Sequence, residues 1–228
     1  MIGIIGAMKI EVEYILEKLE KKETEIVSSV VFTKGEIKGN KVVVAACSPG
    51  KVNAAMVTQA MIIKFNPDVI INTGCAGSLC AEATIGSVVI ATGAVQYDMD
   101  TSEIGDPKGF ISGLGLVNIP CNEEVAGKLL ETAAKREIHH MGGIIASGDR
   151  FMSDSEMKKA IVAEFGASAV DMETAAIAHV CALNQVPFTA VRCISDNAGD
   201  GSAVDYNTFV AVASKTAIAL LTDFIVNA

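Results

Sequence analysis

With 228 residues, half of them hydrophobic and a fifth charged, the chain can bury a sizeable core and does not read as a disordered segment. A net charge of −9 and a pI near 4.8, with no basic run longer than a pair such as Lys21-Lys22 or Lys158-Lys159, argue against nucleic acid and anionic membranes as partners. The six cysteines (47, 75, 80, 121, 181 and 193) form no CxxC pair, and Met1 to Met8 lacks the basic start and cleavage site of a signal peptide. No window approaches ~20 uninterrupted apolar residues, so a soluble, cytoplasmic protein with reduced thiols is expected.

Ile2 to Ile5 reads as a first strand, Gly6-Ala7-Met8 as a tight turn, and Lys9 to Lys21 as a helix, with Val12, Ile15, Leu16 and Leu19 on one face. Val30 to Thr33 and Val42 to Ala46 read as paired strands around a Gly39-Asn40 turn. Ser48-Pro49-Gly50-Lys51 leads into a helix over Val52 to Lys64; the upstream glycine and following Ser/Thr of a phosphate loop are both missing. Asp68 to Asn72 has the composition of a buried strand. It runs into Thr73-Gly74-Cys75-Ala76-Gly77-Ser78, where two glycines let a backbone approach a ligand closely, or simply turn the chain.

Ser87 to Thr92 is another strand, and residues 93 to 120 form a long irregular segment whose apolar residues fit a packed loop, such as one at a subunit contact. A helix over Asn122 to Arg136 and a strand over Met141 to Ala146 follow. Ser153-Asp154-Ser155-Glu156 then reads as a capping box for the next helix. Ala167 to Val170 is a short strand, Met172 to Leu183 a helix, and Pro187 to Val191 a buried strand opening into a polar loop from Asp196 to Ser202. A final helix spans Tyr206 to Val226. Alternating strands and helices predict an α/β fold, a three-layer αβα sandwich with a mixed, twisted central sheet. With no repeat or linker, residues 1–228 read as a single domain. His139, His140 and His179 have no carboxylate or cysteine at metal-ligand spacing, so neither a metal nor another cofactor is expected.

Three carboxylates fall at element boundaries. Asp196 follows a buried strand, where open α/β sheets bind ligands, and could act as a general acid if its surroundings raise its pKa. Glu11 lies in the first turn of a helix, and Glu173 belongs to Val170-Asp171-Met172-Glu173. Together they predict one pocket with divided roles.

Five segments occur in the order of a known family: Gly3-Ile4-Ile5-Gly6-Ala7-Met8 followed by Glu11, Asn72-Thr73-Gly74-Cys75-Ala76-Gly77, Ser147-Gly148-Asp149-Arg150-Phe151, Met172-Glu173, and Ile194-Ser195-Asp196. Over nearly its whole length the chain resembles the 5′-methylthioadenosine/S-adenosylhomocysteine nucleosidases of the nucleoside phosphorylase-like superfamily. That resemblance implies hydrolysis of the N-glycosidic bond of these nucleosides, and of 5′-deoxyadenosine, in methionine salvage and the activated methyl cycle. By it, Asp196 protonates adenine N7 with Ser195 orienting it, and Glu11 activates the attacking water. Glu173 binds the ribose hydroxyls and stabilises the cationic sugar, whose oxocarbenium character is that of glycoside hydrolysis. Met172 packs on the ribose, Phe151 stacks on adenine, the Met152 backbone reads the base edge, and Gly77 admits the base to the backbone. Tyr206, with Ile104 and Thr101 reaching over from the partner of a homodimer, lines the 5′-thio pocket.

The chain departs from the family pattern at Cys75, which stands for a serine near the sugar, at Ser48-Pro49-Gly50, and at Asp171, which stands for a glutamate and receives no role. The implied rivals are a phosphorylase, an aminodeoxyfutalosine nucleosidase and a silent nucleoside-binding protein. Against the first, relatives that use phosphate carry an arginine where this chain has Asn72, and none of the three arginines (136, 150, 192) lies in the first 135 residues. Against the last, Asp196, Glu11 and Glu173 are all present.

Overall fold

A computed structural model describes residues 1–199 and 201–227; Asp200, within the polar loop expected between Asp196 and Ser202, and Ala228 lie outside the described residues. In chain order the strands and helices are β1 (Ile2–Gly6), α1 (Glu13–Lys18), β2 (Glu20–Val27), β3 (Val30–Ile37), β4 (Asn40–Ala46), α2 (Lys51–Phe65), β5 (Val69–Ser78), β6 (Val88–Gln96), β7 (Ile119–Pro120), α3 (Glu123–Lys135), β8 (His140–Ser147), α4 (Ser155–Phe165), β9 (Ala169–Asp171), α5 (Thr174–Leu183), β10 (Phe188–Asp196) and α6 (Ser202–Val226).

Side-chain alternation along the strands builds the expected three layers. Ile5, Val43, Ala45, Ile70 and Ala190 face one core with α2 and α5, while Ile4, Val42, Val44, Ile71 and Val191 face another with α3 and α6. The ten-stranded sheet is mixed. β1 pairs in parallel with β4 and β5, and β5 with β10, whereas β10–β6, β2–β3 and β3–β4 are antiparallel. The sheet also closes on itself, because β10 pairs with both β5 and β6 while β6, β8, β9 and β5 are neighbours in turn. β9 overlaps β5 by two antiparallel pairs only, Gly77↔Val170 and Ser78↔Ala169. Two oppositely directed sets of strands therefore meet at their carboxyl ends, and the site forms at that junction.

Several local expectations shift. The first helix is broken: a 3-10 turn at Lys9–Glu11 and the short α1 are followed by β2, whose Glu20-Lys21-Lys22-Glu23 does not look like a strand. β2 is the sheet's edge, and charge there blocks strand addition from another chain. The hairpin turns on Lys38-Gly39, at φ 50° and 88°, one residue before the expected pair. Asn40 thereby enters β4, and its side-chain amide donates to the Ile225 carbonyl at 2.7 Å. The segment Thr73–Ser78 is not a loop but the second half of β5, held by the neighbouring β10. The cap of α4 is Asp154 rather than Ser153, its Oδ1 accepting from the Glu156 and Met157 N–H groups at 3.0 Å.

Helix α6 begins a turn earlier than expected and, by length and mean hydropathy (1.8), could cross a membrane. Half of that apolar stretch is buried within the fold, with Ala213, Ala217, Leu220, Leu221 and Ile225 in the core, as in a core helix. Phe32 of β3 packs on Phe65 at the end of α2, ring centroids 5.3 Å apart, and anchors the hairpin. Phe32 is fully buried, so Phe32→Ala should destabilise the protein by about 3–5 kcal/mol in denaturant unfolding. A loss below about 1 kcal/mol would mean the hairpin is anchored elsewhere.

Candidate active site

The carboxyl ends of β1, β5, β8, β9 and β10 enclose an open-mouthed cleft. Glu11, Cys75, Gly77, Phe151, Met152, Met172, Glu173, Ser195, Asp196 and Tyr206 all line it, so ten of the expected site residues meet in one place. Thr101 and Ile104 do not line this cleft. Ile104 is 81% exposed, and the Thr101 hydroxyl donates to Asp106 at 2.8 Å within its own loop.

Glu11 is fully buried where the chain turns after β1. The N–H groups of Ala7 and Met8 donate to Oε2 at 2.8 and 2.9 Å; the Cys75 N–H donates to Oε1 at 3.1 Å and its thiol approaches at 3.4 Å. Both oxygens are thus fixed in place, one from the turn after β1 and the other from β5. Burial and the Glu11 charge push the Cys75 thiol well above its ordinary pKa, so it is a donor and not a nucleophile. A Cβ on Gly74 would collide with both Glu11 Oε1 and Arg192 Nη1; the glycine, at φ 154°, leaves room for these two groups to converge.

Asp196 ends β10 at the far side of the cleft. Ala198 N–H donates to Oδ1 at 2.8 Å and the Ser195 hydroxyl to Oδ2 at 2.9 Å. Burial raises its pKa, only partly offset by those bonds and by Ser202, which favours a protonated carboxyl able to give up a proton. The space a Cβ of Gly77 would need is taken by Asp196 Oδ1 and Ala198. Gly77 therefore lets the acid close against the β5 backbone. Phe151 and Tyr206 meet edge to face across the mouth, centroids 5.5 Å apart, and the Tyr206 hydroxyl reaches Met8 Sδ at 3.2 Å.

The cleft is also lined by Arg192, to which the sequence reading gave no role. It is 1% exposed in the middle of β10. Its Nη2 pairs with Asp171 Oδ2 at 2.6 Å and Glu173 Oε2 at 3.5 Å and also bonds Asn72 Oδ1. Nε donates to the Thr174 hydroxyl at 3.2 Å and Nη1 to the Cys75 carbonyl at 3.3 Å. Burial opposes its charge, but Asp171, Glu173 and Glu11 more than compensate and raise its pKa. The available signal was a lone arginine inside an apolar strand, which needs a buried counter-ion; Asp171 is that partner.

Glu173 is held by the Gly50 N–H at 2.9 Å, at the start of α2. Burial pushes its pKa up to about 7; Arg192 opposes the rise and the Asp171 charge adds to it. Among the described residues no group of three or more His, Cys, Asp or Glu is placed to hold a metal ion. The arrangement offers an anchored buried carboxylate, a fixed guanidinium and a carboxyl poised to donate a proton, the components of acid-assisted cleavage with a stabilised cation.

Residues 1–226 match the family model of the phosphorylase superfamily. A 5′-methylthioadenosine/S-adenosylhomocysteine nucleosidase of Bacillus thuringiensis is 39% identical over 218 residues, covering 92% of this chain and 91% of the relative. The structure of a mutant Helicobacter pylori nucleosidase with 5′-methylthioadenosine in its active site superposes with a TM-score of 0.96 at 33% identity, over 100% of this chain and 98% of the other. The futalosine hydrolase of Helicobacter pylori superposes with a TM-score of 0.94 at 35% identity, covering 99% and 97%.

Replacing Gly74 by alanine should lower turnover at least ~100-fold, since displacing either group by about an ångström costs that much. The variant's melting temperature should be measured in parallel. Near-normal turnover in a folded Gly74→Ala protein would show that the convergence of Glu11 and Arg192 is not needed.

Proposed function

The chain belongs to the phosphorylase superfamily and, within it, to the 5′-methylthioadenosine/S-adenosylhomocysteine nucleosidases, and from that premise we propose how its own residues divide the work of N-glycosidic hydrolysis. The substrate's adenine lies against Phe151, Gly77 and the Met152 backbone. Asp196, oriented by Ser195, protonates N7, which turns a poor purine leaving group into a neutral one. As the bond to the sugar breaks, positive charge develops on the ribose; Glu173 accepts hydrogen bonds from its hydroxyls and balances that charge, with Met172 packed beside it. A water held by Glu11 Oε1, in reach of Arg192 Nη1, then attacks the anomeric carbon and passes its proton to Glu11.

One observation carries hydrolysis over phosphorolysis. A phosphate dianion needs an unspent cation, and the buried Arg192 is already balanced by Asp171 and Glu173 and bonded to Asn72. The 5′-substituent leads toward Tyr206, Met8 and Pro49. Likeness to a futalosine hydrolase supports a second reading in which a bulkier 5′-group is accepted, the bond cleaved being the same.

A homodimer fits the surface. Val52 on α2 and Leu183 on α5 are 80% and 56% exposed beside an apolar groove lined by Ala55, Ala176 and Val180. In such a dimer the exposed Ile104 loop, with Thr101, is the segment proposed to reach the 5′ end of the neighbouring cleft. The unpaired cysteines suit a reducing cytoplasm.

Purified protein should release adenine from 5′-methylthioadenosine, and Asp196→Asn should fold normally yet lose ~10²–10⁴ of kcat. Wild-type turnover by that variant would remove Asp196 from the role of acid. Because Glu173 has to be ionised and its pKa stands near 7, kcat/KM should fall as pH drops through about 7, read from a pH profile of adenine release. A profile flat down to pH 5 would contradict this role for Glu173. Light scattering should give twice the chain mass, and a monomer at working concentration would remove the partner's contribution from the 5′ pocket.

A further inference from the structure

The three elements around the buried guanidinium share one residue to which the reaction so far gives no part. Asp171, 8% exposed at the end of β9, takes more hydrogen bonds than any ligand-facing carboxylate needs. The Ser147 hydroxyl bonds its Oδ1 and the Thr174 hydroxyl its Oδ2; the Glu173 and Thr174 N–H groups approach at 3.3 Å, and Arg192 Nη2 at 2.6 Å. Ser147 in turn accepts from Ala175 N–H at 2.9 Å. The carboxylate is thus pinned by β8, β9 and the first turn of α5 before it meets Arg192.

That placement governs the cation. Nη2 sits 2.6 Å from Asp171 but 3.5 Å from Glu173, so the guanidinium is drawn toward Asp171 and Glu173 keeps only a loose contact with it. With Nε on Thr174 and Nη1 on the Cys75 carbonyl, the plane of the group is fixed and its Nη1 edge lies over Gly74 next to Glu11 Oε1. Without Asp171, Glu173 is the nearest counter-charge. The guanidinium would turn onto it, leaving Glu11 and occupying the carboxylate needed by the sugar.

We propose that Asp171 is a positioning residue for hydrolysis: it holds Arg192 facing Glu11 and keeps Glu173 free for the ribose. The inference rests on the reading that Glu11 serves the water and Glu173 the sugar. The charged and titratable groups facing Glu173 are Arg192 of β10, Asp171 of β9, Glu11 after β1, Cys47 after β4 and Tyr206 of α6. Of these, Asp171 and Glu11 raise its pKa and Arg192 lowers it, so deleting the Asp171 charge moves the Glu173 titration to lower pH.

The test is adenine release from 5′-methylthioadenosine across pH for wild type, Asp171→Asn and Asp171→Glu, with melting temperatures. Asp171→Asn should lose ~10–100-fold in kcat, and the acid limb of kcat/KM should move down by about one pH unit. Asp171→Glu should restore the limb to its wild-type position and recover most of kcat. A folded Asp171→Asn protein with wild-type kcat, or one whose acid limb stays in place while only its melting temperature falls, would overturn the inference. If Asp171→Asn does not fold, Thr174→Val is read instead. It removes the hydroxyl joining Asp171 to Arg192 Nε without changing any charge, and should lower kcat several-fold with the limb unmoved; wild-type kcat there overturns the inference as well. Failure of the underlying reading is distinct, since it shows in the wild-type protein as no adenine release and takes this inference with it.

Discussion

A single buried cation organises the site. Arg192 has almost no exposure to water, and a lone charge so placed would cost several kcal/mol, so the fold has to supply compensation from several directions. It does so with Asp171, Glu173, Asn72, Thr174 and the Cys75 carbonyl, drawn from β9, the turn after it, β5 and α5. Together these partners tie β9, the turn after it, β5 and α5 to β10. The requirement to satisfy one guanidinium therefore fixes the relative placement of the segments that carry Glu11, Glu173 and Asp196. Removing one member of such a cluster typically costs about 3–5 kcal/mol, which makes the geometry stiff as well as specific.

The backbone around this cluster is shaped by small residues. Gly74 and Gly77 lie on the same strand, three residues apart; the first admits Glu11 and Arg192, the second admits Asp196. Asp196 and Glu11 thus both close against one piece of β5. Their environments differ in kind. Glu11 accepts three backbone N–H bonds, whereas Asp196 accepts one, from Ala198, beside side-chain hydroxyls, and burial raises its pKa. That difference accompanies the separate roles proposed for the two groups.

Much of this was legible in the sequence, for identifiable reasons. Buried strands such as Val42–Ala46 announce themselves by composition, and a carboxylate placed at a strand's end, as Asp196 is, predicts a ligand site. The edge strand Glu20–Val27 was not legible, because an edge is protected by the same charges that suit an exposed helix. Thr73–Ser78 misled for the opposite reason: its glycines imitate a loop, yet they serve close packing inside a strand. Arg192 was visible as an oddity in an apolar strand, but its partners Asp171 and Asn72 are distant in sequence and only closure of the sheet brings them together. The same closure explains why Asp171 carried no readable role.

Hydrolysis and phosphorolysis differ in whether the buried arginine is spent on internal carboxylates or available to an incoming anion. The most direct measurement is adenine release from 5′-methylthioadenosine with and without phosphate, with the sugar product identified. Equal rates and free 5-methylthioribose are the predicted result. Phosphate-dependent release yielding a sugar 1-phosphate would contradict it, for Arg192 would then have to leave Asp171 and Glu173 to hold the anion.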